Sequence, residues 1–237
     1  KKGYGGRKNV VVELSDEVKQ TIKDGKVTIA AHCNNKTGGA LVDFGLYVED
    51  DVELHLAATA VQKSVDVQAT QTHYVFTCGE VDLKLTFSAP LFLDDLKLIA
   101  RPVNYISYEV ASNDGKAHDV EIYFEASPAW ALDKPLQKST SETLEDSGLV
   151  FLKTGSVDQP ILAKPGDDLR IDWGYFYLAA EKENFVCQID DNEVLRAAFT
   201  GGEKKKNENK VPDNRLALIR KLGTVKDAAA GKIMLGY

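Results

Sequence analysis

Apolar and polar residues alternate with a period of two through the middle of the chain. In Val81-Asp82-Leu83-Lys84-Leu85-Thr86-Phe87 the odd positions are apolar and the even ones polar. An extended backbone throws alternate side chains to opposite faces, so this segment predicts a strand with one core side and one wet side. Residues 103–110 repeat the pattern with Ile106, Tyr108 and Val110 facing in, and so do Val120, Ile122, Phe124 and Ala126. Between these two strands, Ser112-Asn113-Asp114-Gly115-Lys116 has the Asn-Asp-Gly chemistry of a tight turn with positive φ, which predicts a hairpin. Further strands are expected at 55–61, 64–69, 73–78, 149–153, 160–163, 169–179, 184–188 and 194–200. Residues 214–225 fit both periods: Leu216, Ile219 and Leu222 suit a helix, while Leu216, Leu218 and Leu222 suit a strand. Gly223-Thr224-Val225 would continue a helix poorly and tips the reading to strand. Strands spaced this regularly predict an all-β antiparallel sandwich.

The first fifty residues differ. Ser15-Asp16-Glu17 opens a short helix, with serine as N-cap and acids in the first turn where the helix dipole favours them. Lys23-Asp24-Gly25-Lys26 stops it. A strand over 27–32, a polar turn over 34–39 and a strand over 41–47 are expected next, and Glu49-Asp50-Asp51 reads as the joint to the rest. Lys1 at the start and the apolar run Gly231-Lys232-Ile233-Met234-Leu235-Gly236-Tyr237 at the end read as cuts from a longer chain.

Charge narrows the partners. A net charge of -7 argues against nucleic acid, because binding phosphates needs clustered Lys and Arg. The one basic run, Lys204-Lys205-Lys206, lies among Glu203, Asn207, Glu208 and Asn209 and reads as a solvated loop. No stretch approaches the roughly 20 apolar residues of a membrane span. The three cysteines, Cys33, Cys78 and Cys187, are odd in number, far apart and without CxxC spacing, so they read as buried free thiols rather than zinc or redox groups.

Standard catalytic signatures are missing: no GxSxG, no HExxH, no phosphate-binding GxxxxGK[ST], and no serine three residues before a lysine. His32, His55, His73 and His118 are scattered and read as surface or packed histidines, so neither metal nor cofactor is expected. Gly166-Asp167-Asp168-Leu169-Arg170-Ile171-Asp172-Trp173-Gly174-Tyr175 is the most unusual segment. As a strand it would place Leu169, Ile171, Trp173 and Tyr175 in the core and Asp168, Arg170 and Asp172 on the other face. That face is either a salt-bridged outer surface or a polar patch toward another domain or a ligand, since an arginine between two carboxylates is a preorganised bidentate donor. Asp94-Asp95 reads as a capping or loop pair before a shared acid/base pair, because adjacent carboxylates point different ways on most backbones. Trp130 reads as core first and as a sugar-stacking platform second. Asn35-Lys36-Thr37 matches a glycosylation acceptor.

From Ala58 to Tyr237 the chain resembles the central β domain of the glutaminase-A-like family of multidomain proteins. The resemblance runs in order through Gln71-Thr72-His73-Tyr74-Val75-Phe76, Val81 to Phe87, Asp94-Asp95-Leu96, Arg101-Pro102-Val103-Asn104-Tyr105, Asn113 to Lys116, Glu125-Ala126-Ser127, Gly166 to Tyr175 and Gly231 to Tyr237. It implies a sandwich (supersandwich-like) preceding an (α/α) toroid as in six-hairpin glycosidases, with the toroid the catalytic part and the partner of this domain. Segments Gly25 to Asn35 and Gly38 to Leu46 resemble the last strands of a galactose-binding-like jelly roll. The expected domains are therefore 1–50, a jelly-roll remnant, and 51–237, the central sandwich.

The expected function is a non-catalytic sandwich of a secreted, periplasmic or cell-surface glutaminase- or glycosidase-like hydrolase. It would pack on the toroid and shape its active-site mouth. A carbohydrate-binding module is the alternative, and an amidohydrolase or glycosidase with its site inside this chain is a third reading. No catalytic residue is assigned; Asp168, Arg170, Asp172, Asp94, Asp95 and Trp130 are the interface or ligand candidates.

Overall fold

The computed structural model describes residues 12–23, 28, 30, 58–133, 137–163, 165, 173–203 and 214–237. The chain divides into two compact units, Lys1–Glu53 and Leu54–Tyr237. In the first, α1 spans Asp16–Lys23, with Asp16 and Glu17 in its first turn. The Ser15 hydroxyl accepts from Val18 N at 3.4 Å, the expected cap. The strand expected at 27–32, apart from residues 28 and 30, the strand expected at 41–47 and the Asn35 acceptor lie outside the described residues, as do Cys33, His32 and His55.

The second unit is an all-β antiparallel sandwich. Its elements are β1 (Val61–Val67), β2 (Gln71–Cys78), β3 (Val81–Ser88), α2 (Leu96–Ile99), β4 (Val103–Ser112), β5 (His118–Ala126), a 3-10 turn (Pro128–Ala131), β6 (Ser139–Asp146), β7 (Leu149–Ser156), β8 (Phe176–Glu181), β9 (Val186–Asp191), α3 (Asn192–Phe199), β10 (Asn214–Val225) and β11 (Ala229–Gly236). One sheet runs β1-β2-β3-β4-β11-β8-β7-β6 and the other β5-β10-β9. Their facing sides form the core: Leu152, Leu178 and Ile233 come from the large sheet and Leu216 and Leu218 from the small one. Ile106, Tyr108 and Val110 are buried as the alternation predicts, and Ile122, Phe124 and Ala126 belong to the same core. Burying leucines this fully contributes roughly 1.5–3 kcal/mol each.

Four expectations are corrected. Residues 194–200 form a helix, not a strand. Asp191 caps it by accepting Glu193 N at 3.0 Å, Glu193 sits in its first turn, and Leu195 and Ala197 are buried. Residues 160–163 are a turn, in which Leu162 adopts φ +51. Of the strand expected over 169–179, residues 169–172 lie outside the described residues, 173–175 are not strand, and β8 begins at Phe176; Trp173 lies in a bend, half-buried rather than in the core. Finally, β4 and β5 are not a hairpin. β4 pairs with β3 and β11, whereas β5 pairs with β10, so residues 113–117 carry the chain from one sheet to the other. Turn chemistry dictates local φ, and Gly115 does adopt +76, but it does not choose the strand's partner.

Asp114 organises that corner. One carboxylate oxygen accepts from Ser112 Oγ (2.9 Å) and Lys116 N (2.9 Å) and meets His118 Nε2 at 2.8 Å. The His118 contact, followed by the Lys116 amide, holds its pKa down from 3.8 to about 2. A carboxyl depressed in the folded state stabilises above its unfolded pKa and loses that contribution as pH falls through the folded one. Stability should therefore drop between pH values of about 4 and about 2, and Asp114→Asn should flatten that part of the acid-unfolding curve followed by circular dichroism. An unchanged acid limb would remove Asp114 from this role.

Candidate functional site

The register of the large sheet collects several connections at one end. Ser88 pairs with Tyr105, Gly236 with Val103 and with Tyr177, Thr154 with Phe176, and Ser139 with Ser156. The β3–β4, β5–β6 and β7–β8 connections thus emerge side by side, next to Tyr237.

The β3–β4 connection is apolar and exposed. Leu91, Phe92, Leu93 and Leu96 all face solvent, Leu93 at 78% and Leu96 at 77% of their full area. Asp95 caps α2 by accepting Leu98 N at 3.0 Å, and its own N–H donates to Phe92 O at 3.1 Å. These bonds fold the segment back on itself around an open recess of about 530 Å³, lined by Leu91, Phe92, Leu93, Asp94, Asp95 and Leu98. Asp94 is an exposed member of this rim. The two carboxylates therefore do different jobs. Leu91, Phe92 and Leu93 are not among the residues expected at a site from the sequence, although apolar residues crowded into a turn-bounded loop were the available signal.

Trp130 corrects another expectation. It is 72% exposed, not core. The short turn that carries it starts at Ser127, whose hydroxyl accepts Ala129 N at 3.2 Å, and has Pro128 in its first positions. Pro128 and Ala131 supply the buried side of this turn. The indole then stacks on Phe176, centroids 6.2 Å apart and planes 21° off parallel. An exposed indole stacked on a second ring presents a flat aromatic surface.

The β7–β8 connection is closed at its base by a side chain. Gln159 Oε1 accepts Gly174 N at 2.7 Å, and Gln159 Nε2 donates to Gly174 O at 3.1 Å and Ser156 O at 2.9 Å. The amide imitates a strand neighbour. Beside it the Lys153 ammonium lies 4.0 Å from the centroid of Tyr175, and Tyr237 Oη donates to Trp173 O at 3.0 Å. Ile161 and Leu162 add exposed apolar surface. Asp168, Arg170 and Asp172 lie outside the described residues, so the polar-face reading gains no geometry.

Among the described residues no three His, Cys, Asp or Glu side chains gather to hold a metal ion. Cys78 and Cys187 are free and half-buried; burial pushes both thiols up, Cys187 to about 11, which keeps them protonated and unreactive. His73 Nδ1 meets Thr86 Oγ1 at 3.0 Å in a cross-strand pair. No helix among the described residues is long and apolar enough to cross a membrane.

Two comparisons bear on this surface. A family model described as a domain of unknown function, DUF5127, matches residues 70–237. Glutaminase A of Aspergillus oryzae is 27% identical over 188 residues, covering 75% of this chain and 27% of that protein. The chain thus spans about a quarter of the length of this curated relative.

Proposed function

The chain belongs to the DUF5127 family, and on that premise we propose that it is an accessory β-sandwich of a longer glutaminase-like hydrolase, docking through its loop end onto a catalytic domain of the same polypeptide. The observation that carries this reading is the exposed apolar segment Leu91, Phe92, Leu93 and Leu96. Clustered apolar side chains in water are costly and mark surfaces that another protein surface covers. The occupant is the remainder of the polypeptide, because the similar glutaminase has nearly three quarters of its length outside the matched stretch. On this reading an (α/α) toroid is that remainder, and the whole protein works outside the cytoplasm.

Introducing Phe92→Asp together with Leu93→Asp into the full-length protein should reduce glutamine turnover roughly tenfold or more, the effect of losing a central apolar anchor. The 237-residue chain carrying both changes should unfold at its usual denaturant midpoint, since neither residue contributes to the core. Unaltered turnover and unaltered stability of the full-length variant would sink the proposal. Trp130, exposed and stacked on Phe176, favours a second reading, a carbohydrate-binding module. Unaltered turnover, combined with polysaccharide retention that Trp130→Ala abolishes, would select it.

A further inference from the structure

Strands β8 and β11 are neighbours for only three residue pairs, Met234–Ala179, Leu235–Leu178 and Gly236–Tyr177. The same register would next bring Ile233 beside Ala180 and then Lys232 beside Glu181, yet pairing stops while both strands continue. The sheet is split there. Arg220, from β10 of the facing sheet, occupies the split: its Nη1 donates to Ala230 O at 3.1 Å and to Tyr108 Oη at 3.1 Å. Its guanidinium lies 5.7 Å from the centroid of the Phe185 ring. An arginine thus supplies a hydrogen bond to a strand carbonyl where a neighbouring strand would otherwise continue.

Above it opens a groove of about 570 Å³ whose walls include Lys84, Ser107, Glu109, Glu181 and Lys232. Glu109 is paired with Lys84, and Glu181 accepts from Asn184 Nδ2 at 2.7 Å. Among the described residues, Arg220 makes its bonds through Nη1 alone, leaving Nη2 and Nε without a partner. Burial raises the Tyr108 pKa, so this phenol keeps its proton while it accepts from Arg220 and retains an O–H to donate.

We propose that the split between β8 and β11 is a binding site for a small carboxylate ligand, an amino acid or a sugar acid, with Arg220 as the clamp for its carboxylate. A guanidinium fixed through one nitrogen presents its other donors as a fork that matches carboxylate geometry. Lys232 adds charge at the rim, and Glu109 and Glu181 offer acceptors to the ammonium of an amino acid or the hydroxyls of a sugar acid. The site shares no residue with the loop end and stands whether or not that end docks another domain.

Titration of the 237-residue chain, followed by ¹H–¹⁵N NMR, tests it with four probes: L-alanine against L-alaninamide, and glucuronate against glucose. The carboxylates should shift the Gly231 amide and the Arg220 Nε–H, and the counterparts that lack a carboxylate should not. Response to one carboxylate identifies the source; response to both supports the shared chemistry. Arg220→Lys, which keeps the charge and loses the fork, should weaken binding roughly tenfold, and Lys232→Ala, on the exposed wall, roughly threefold. No carboxylate-specific shift up to about 50 mM, a concentration that detects even weak sites, would overturn the proposal. So would affinities that neither variant changes.

Discussion

Replacing Glu125 with alanine should destabilise the sandwich by about 2–3 kcal/mol, somewhat below the roughly 3–5 kcal/mol of a fully buried broken ion pair. Glu125 lies on β5, on the face of the small sheet turned away from the core. Its Oε2 accepts Arg196 Nε at 3.0 Å and the Tyr123 hydroxyl at 2.8 Å, and its Oε1 accepts Arg196 Nη2. Both side chains are substantially covered, Glu125 at 14% and Arg196 at 27% of full exposure. Truncation leaves a guanidinium and a phenol without their shared acceptor. Burial, followed by the Glu125 contact, already pushes the Tyr123 pKa far above its usual value, so the phenol stays a donor in need of that carboxylate. The damage should be regional, because Arg196 belongs to α3 and the Tyr123–Phe199 ring pair, 4.9 Å apart, fastens the same helix. Denaturant midpoints give the loss, and hydrogen exchange should show α3 amides exposed before those of β10. Glu125→Leu with Arg196→Met should recover most of it, since an apolar pair carries no desolvation cost. A Glu125→Ala midpoint equal to that of the parent would show that the pair contributes nothing.

That pair also explains why α3 was hard to read in the sequence. Val194 and Phe199 suit a strand, and period-two logic claims such residues when they follow a real strand, β9. The helical signal was present in Asp191 and Glu193, a cap and a first-turn acid, but short helices are decided by what they pack on. β6 was missed for the opposite reason. It is an edge strand whose side chains are almost all exposed, so Ser139 to Asp146 shows no apolar face. Strands β3, β4 and β5 were legible because their apolar and polar residues alternate toward opposite faces. The corner at Asp114 was half legible: its φ follows from glycine chemistry, its sheet change from long-range pairing. The Asp94-Asp95 loop could be read as capping, whereas the importance of Leu93 and Leu96 rests on their exposure in the folded chain, which periodicity does not reveal. Arg220 was invisible as a site residue, because Tyr108 lies 112 positions from it and only the split strand pairing brings the two together.

Gly231→Ala should cost about 2 kcal/mol, although the same exchange at an unconstrained site stabilises by about 0.4–1 kcal/mol through the unfolded chain. The sign depends on what a methyl group would meet. A Cβ at 231 would fall against Arg220 Nη1 and Tyr108 Oη, and 2.6 Å from Tyr108 Cζ. The guanidinium is the end of a flexible chain and can retreat by giving up Tyr108 Oη and Ala230 O. The Tyr108 ring cannot, since it is 4% exposed and packed in the core cluster. The penalty should therefore survive in an Arg220→Ala background with only a modest reduction. It should fall below half in a Tyr108→Ala background, where the new methyl enters space the ring has left. Such coupling between touching residues is measured by double-mutant cycles, here from urea denaturation midpoints. Equal penalties in both backgrounds would mean that strand β11 shifts as a unit, and that the close approach of Tyr108 is not what requires glycine at this position.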